Sequence, residues 1–297
     1  MTNKIIILKD NGGRLANQLW LYSYVYSYCL EKKYQFENYA FFRYQHYFGL
    51  QTSDKLINLL ARLHLWHKKI KVSKLLYNFY AAIIQILFSR QLIKDGGREF
   101  FLPPTPTSVV AQQQSLAIID SAKNKTFFFC GWLFNNEVGQ KKYYNEIKDK
   151  LRPAEVYYSK ILNLKTELLK KYKLLVGVHI RQGDYKTWQG GKFFYSEAEV
   201  AGLLKDFLKE LKGFEPKEVV FVVCTDGLID EVAFMGLNIV KGPGSEITDL
   251  YMLAETDLII GSTSTYGAWA AYYGQIPFVQ FSRQSIDWSK IALANNH

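Results

Sequence analysis

Two hydrophobic rhythms run along this chain. Short runs of consecutive apolar residues alternate with stretches in which apolar positions recur every three or four residues. The first rhythm predicts strands covered on both faces, and the second predicts helices with one buried stripe. Ile5, Ile6, Ile7 and Leu8 form the first run, closed by the turn-forming Asp10, Asn11, Gly12 and Gly13. Leu15, Leu19, Tyr22, Tyr26 and Leu30 follow at helical spacing. The second half repeats the alternation more cleanly. Strands are predicted over 174–180, 219–224, 238–240, 257–260 and 277–281, and helices over 198–211, 248–255 and from 265 to 273. Apolar strands separated by helices make a parallel sheet, whose ligands bind beyond the carboxyl ends of the strands.

The first half is less regular. Phe36, Tyr39, Phe41, Phe42, Tyr44, Tyr47 and Phe48 crowd one segment, which suits core packing more often than stacking on a sugar. Residues 75–88 are largely apolar, too short to span a bilayer but long enough for a core or interfacial helix. Pro103, Pro104 and Pro106 predict a rigid extended stretch, and 126–132 a buried strand. The charged segment 141–173 carries helical patterns and the predicted crossing between domains. The expected division is an α/β domain over 1–155 with a basic helical insertion, and a second over 156–297.

Composition narrows the class. With 297 residues, 48% of them hydrophobic, the chain can bury a core without a disulfide or metal staple. Disorder, coiled coil and disulfide scaffolds are excluded. Cys29, Cys130 and Cys224 are odd in number and far apart, which predicts buried thiols in a reducing compartment. No metal-ligand spacing is present; His64 and His67 are expected as exposed positions on a basic helix. The start of the chain has no signal-peptide pattern, and no apolar run reaches membrane-spanning length. Net charge is +10, but residues 1–150 hold 21 Lys/Arg against 10 Asp/Glu, while 151–297 hold 16 against 17. The excess sits in one half, and residues 55–94 contain eight Lys/Arg and no acid. That pattern fits one domain facing an anionic partner, with 55–94 a candidate peripheral membrane contact. It fits nucleic acid poorly, because no recognition motif accompanies it.

Three predicted strand ends carry candidate chemistry: His179, Arg181 and Asp184 after the first, Asp226 after the second, and Ser262, Thr263, Ser264 and Thr265 after the fourth. A guanidinium binds phosphate bidentately, hydroxyls and helix amides bind it through orphan donors, and a carboxylate can accept from a base edge. Each group has a plainer alternative, a local Arg–Asp pair or a helix cap. Their recurrence at three strand ends favours a shared site for a nucleotide diphosphate. A further loop, Gly12 and Gly13 followed by Asn17 and Gln18, is either a ligand loop or a simple strand-to-helix turn.

These residues carry a resemblance. His179-x-Arg181-x-x-Asp184 resembles the HxRxxD motif of the fucosyltransferase superfamily. The segment from Gly12 and Gly13 to Asn17 and Gln18 is similar to the GGLGNQ opening of the α1,2-fucosyltransferases, glycosyltransferase family 11. Residues 249–269 look like that family's carboxyl-terminal motif. The chain departs from the pattern at Ala16, Gln182, Gly261 and Ser262.

The resemblance implies a GT-B-like fold, two Rossmann-like α/β domains facing across a cleft. It implies an inverting, metal-independent transfer of fucose from GDP-fucose to a glycan hydroxyl, with no cofactor, in bacterial-type surface polysaccharide assembly. Arg181 would hold the β-phosphate, and His179 and Asp226 would lie by guanine or ribose. Ser262 to Thr265 would lie by the diphosphate, and Gly12, Gly13, Asn17 and Gln18 on the fucose and acceptor side. Asp10 and Asp184 are the candidate bases. The basic first domain would face the acceptor, with a lipid-linked glycan in view, and the protein would be cytoplasmic or peripheral on the inner membrane face. The alternatives are another nucleotide-sugar donor, or a non-enzymatic basic protein that binds membranes or polyanions.

Overall fold

The structure is a computed structural model describing residues 2–9, 13–66, 72–94, 106–131, 134–291 and 293. It divides into two compact units, Met1–Ala154 and Glu155–His297. The first unit begins with β1 (Lys4–Lys9), α1 (Leu15–Lys32), β2 (Gln35–Asn38), α2 (Lys55–Trp66) and α3 (Val72–Leu87). It continues through β3 (Leu92–Lys94), α4 (Pro106–Ser121), β4 (Thr126–Cys130), α5 (Glu137–Lys142) and α6 (Tyr144–Lys150). The second unit holds α7 (Glu155–Leu169), β5 (Leu174–Ile180), α8 (Glu197–Glu210), β6 (Val219–Thr225) and β7 (Ile239–Lys241). It ends with α9 (Glu246–Ala254), β8 (Leu258–Gly261), α10 (Thr265–Gly274) and β9 (Phe278–Gln280).

Both sheets are parallel throughout. Their orders are β2-β1-β4-β3 and β7-β6-β5-β8-β9. In the second sheet β5 lies at the centre, and all seven of its residues are buried. The chain leaves β5 for β6 and β7 on one side, then crosses through α9 to β8 on the other and on to β9, so the switch point lies between the carboxyl ends of β5 and β8, where open α/β sheets bind ligands. In the first sheet β1 is central and pairs with β2 and β4.

Side chains explain the helix boundaries. Ser196 caps α8, with Glu199 reaching back to the Ser196 amide, and Ser245 and Ser264 cap α9 and α10. Pro106 opens α4 rather than continuing an extended stretch, because proline suits the first helical position, where no N–H is needed. Pro103 and Pro104 lie outside the described residues. Helix α1 is buried more widely than its predicted stripe; Ser23, Ser27 and Tyr28 are also inside.

The aromatic segment packs into the first unit's interior. Phe41 and Phe42 are buried, Phe42 stacks on Tyr77, and Phe41 meets Tyr22 edge-on. The three cysteines are buried free thiols. His64 is not an exposed position: its Nδ1 lies 3.1 Å from Ser73 Oγ, and its ring meets Phe42 edge-on. The pairing of α2 with α3 turns it inward. His67 lies outside the described residues. Among the described residues no helix is long and apolar enough to cross a membrane, and no group of three His, Cys, Asp or Glu could hold a metal ion.

Candidate active site

The three strand-end groups of the second unit meet at the switch point. Arg181 follows β5 and is held from three sides. Its backbone N–H donates to Ser262 Oγ at 2.9 Å, tying the end of β5 to the loop after β8. Its Nε and Nη2 donate to the two carboxylate oxygens of Asp184 at 2.9 and 3.1 Å. Its Nε also lies 3.5 Å from Asp226 Oδ2. The guanidinium sits over the Tyr185 ring, 5.2 Å from its centroid. No hydrogen bond engages Nη1 among the described residues, so one end of the fork remains open to a ligand.

Asp226, at the end of β6, also shapes the Arg181 loop. Its Oδ1 accepts from the backbone N–H of Gln182 at 2.8 Å and of Gly183 at 3.2 Å. A β-carbon at Gly183 would lie 2.8 Å from Asp226 Oδ2, so a larger residue there would displace the carboxylate that shapes the loop. Gln182 is buried and donates to Glu197 Oε1 at 2.7 Å, anchoring the loop to the first turn of α8. One cation thus stands among two carboxylates. Asp184 is the exposed member, with 53% of its side chain accessible against 16% for Arg181.

The loop after β8 supplies both support and surface. Ser262 and Ser264 are buried and Thr263 and Thr265 half-buried. Ser264 Oγ accepts from Gly267 N–H as the α10 cap, and Thr263 Oγ1 donates to Gln280 Oε1. The positive end of the α10 dipole follows directly from Thr265. Tyr185, which motif reading passed over, donates its hydroxyl to the Thr263 carbonyl at 2.7 Å and so joins the Arg181 loop to this one. Its signal was its place beside Asp184 in an otherwise polar loop.

His179, expected beside guanine or ribose, is enclosed among its neighbours. Its ring is 4% exposed, stacked on Tyr266 and 3.2 Å from Ser264 Oγ. Burial, helped by the nearby Arg181 cation, lowers its pKa to about 3. His179 is therefore neutral at ordinary pH, with its Nδ1 beside the Ser264 hydroxyl that caps α10.

The sign of its pH effect follows. An unfolded His179 takes a proton near pH 6.5 and the folded one only near 3, so its contribution to stability is complete above about 6.5 and is lost as pH falls toward 3. Asp249 acts oppositely. Burial raises it from 3.8 to about 6, so its contribution is present below about 3.8 and is lost as pH rises through 6. Between about pH 4 and 6 the two slopes oppose each other, each up to about 1.4 kcal/mol per pH unit. Asp249→Asn removes one of them. Urea unfolding of that variant is expected to show a steeper loss of stability from pH 6 to 4 than the native protein; equal losses would refute the opposition.

The first unit holds a separate group. Gly13 has φ +92°, a conformation that favours glycine, and a β-carbon there would meet the Asn17 side chain at 2.8 Å. Gln18 is buried. Asn17 Oδ1 is buried with no hydrogen-bond donor among the described residues. Asp10 and Gly12 lie outside the described residues.

Known proteins identify the family. The profile of glycosyl transferase family 11 matches residues 13–281. The chain belongs to that family. As a family 11 member it is a glycosyltransferase, which sets aside the non-enzymatic reading. No curated protein matches it in sequence. Among solved structures, the selenomethionine form of fucosyltransferase NodZ from Bradyrhizobium is similar over 95% of both chains, with TM-score 0.55 and 14% identity. NodZ α1,6-fucosyltransferase co-crystallised with GDP is similar over 95% of both, with TM-score 0.52 and 14% identity. The form soaked with GDP-fucose gives 0.50 and 13%, again over 95% of both chains. At these identities the likeness is one of fold, and the family 11 chain is GT-B-like, with a parallel α/β sheet in each unit.

Proposed function

We propose that this family 11 enzyme transfers fucose from GDP-fucose to a glycan hydroxyl with inversion at C1 and without a metal, making an α1,2 linkage in surface-polysaccharide assembly. The observation that carries the donor half is the open Nη1 end of Arg181 at the switch point, braced by Asp184, Asp226 and Tyr185. Residues 156–297 hold the donor. Arg181 binds the β-phosphate, and Thr263, Thr265 and the start of α10 face the diphosphate. Ser262, Ser264 and His179 act through these groups by holding them in place. Asp226 keeps the Arg181 loop in shape and offers its remaining accepting capacity toward the nucleoside.

In the reaction the bond between fucose C1 and the phosphate oxygen breaks, and a bond from C1 to the acceptor oxygen forms. Negative charge grows on the departing GDP, and Arg181 offsets it. Asp184 already spends both oxygens on the guanidinium, so its role is to position Arg181. The acceptor proton then goes to Asp10 or, late in the reaction, to water. On the acceptor side, residues 1–155, the buried Asn17 Oδ1 is an accepting group that a sugar hydroxyl would satisfy. The acceptor is a lipid-linked glycan.

Calorimetric titration with GDP, GDP-fucose, GDP-mannose, UDP and UDP-glucose, with and without EDTA, tests the donor. Tight binding of GDP and GDP-fucose alone, unchanged by EDTA, is expected. Preference for a uridine nucleotide would assign another donor, and loss of binding in EDTA would overturn the metal-free reading.

A further inference from the structure

Helix α3 is amphipathic in the inverse sense for a surface helix. The side it turns inward carries Ser73, Tyr77 and Ala81, all buried. Tyr77 is fixed there by a hydrogen bond to the Leu8 carbonyl. The side it turns outward carries its largest apolar residues, with Leu75 69%, Phe79 68% and Ile86 76% exposed. Leu76, Ile83 and Leu87 share that side, and α2 adds the exposed Leu56, Leu59 and Leu65. Six large apolar side chains along one face of α3 are thus left uncovered, which marks that face as an interaction surface.

Charge identifies what covers it. Residues 55–94 hold eight Lys/Arg and no Asp or Glu. Lys55 and Arg62 of α2, Lys74 of α3 and Arg90 just beyond α3 are exposed. A second copy seated face to face would bring two such cationic rims together, which opposes a symmetric dimer. An anionic lipid surface accepts both features at once: headgroups meet the cations, and acyl chains receive the leucines, isoleucines and Phe79. With 16 residues, α3 is too short to span a bilayer and suits lying in its plane.

We propose that the outer face of α2 and α3 seats this protein on an anionic membrane leaflet. The contact is independent of nucleotide, and it would hold the enzyme where a lipid-linked acceptor is presented.

Co-sedimentation of the full chain with vesicles of 7:3 phosphatidylcholine and phosphatidylglycerol tests it, beside pure phosphatidylcholine vesicles. Binding is expected to the anionic vesicles, at least tenfold weaker to the neutral ones, and falling with salt. The double variant Phe79→Ser, Ile86→Ser is expected to lose most of this binding. Its circular dichroism and GDP titration should match the native protein, because both side chains point to solvent. The charge variant Arg62→Glu, Lys74→Glu is expected to lose it as well. Equal binding of native protein and both variants would overturn the proposal. So would a stable dimer in ultracentrifugation that dissociates in the serine variant and binds no vesicles. A failed GDP titration with intact vesicle binding would count against the donor reading alone.

Discussion

Arg181→Ala is expected to lower the transfer rate by about two to three orders of magnitude, the usual effect of removing one preorganised group that stabilises developing negative charge. The loss has two parts. The diphosphate loses its cation, and Asp184 and Asp226, now without the guanidinium between them, repel it. GDP affinity therefore falls together with turnover. Arg181→Lys is expected to recover only a small part, because an ammonium cannot bridge both carboxylates and still present a free end to phosphate. Single-turnover transfer with GDP-fucose and calorimetry with GDP read the two parts separately. A variant within tenfold of the native rate would remove Arg181 from the chemistry.

Phe221→Ala is expected to carry the largest cost to stability, about 3–5 kcal/mol. Phe221 is fully buried on β6, paired with Val176 of β5 and Ile239 of β7. Its ring meets Phe207 of α8 edge-on at 6.4 Å, and Phe207 in turn meets Trp288 at 5.3 Å. Truncation opens a cavity in a region bounded by sheet strands that cannot collapse inward. Scanning calorimetry of the full chain is expected to show melting of the second unit lowered by roughly 10 °C or more. GDP should rescue part of that loss by mass action, since the donor groups lie in the same unit. A melting point unchanged by the substitution would show that the Phe207–Phe221 layer is not the unit's core.

The second unit was legible because its strands are nearly uninterrupted apolar runs, as sheets covered on both faces require. The helices around 198–211 and 265–273 were placed between those strands, the second with a Ser/Thr stretch as its cap. The first unit was harder for identifiable reasons. β2 reads Gln35, Phe36, Glu37, Asn38, an edge strand with charge and amide where a central strand has valine. β3 has three residues and little pattern of its own. α4 carries three consecutive glutamines and starts at a proline that also suits an extended chain.

At the site, residue types announced Arg181, Asp184, Asp226 and the Ser/Thr loop. They could not announce partners. Which carboxylate holds which nitrogen of Arg181, and that Tyr185 bridges two loops, are facts of three dimensions. His179 shows the limit most plainly. Its motif position suggests ligand contact, and its burial beneath Ser264 and Tyr266 is visible only in three dimensions.

The register of β1 has a consequence for how the chain is made. Lys4 lies opposite Thr126 on β4, while the β2 partner Gln35 is close in sequence. On the ribosome, β1 has only the short edge strand β2 beside it until β4 emerges. At about 5–20 residues per second, that interval lasts roughly 5–20 s. For about its second half, once Leu87 has followed, the leucine-rich helices α2 and α3 are already outside with no completed sheet to hold them. The apolar side chains of α2 and α3 are therefore made before the sheet of their own unit can close, whereas the second sheet closes over shorter separations.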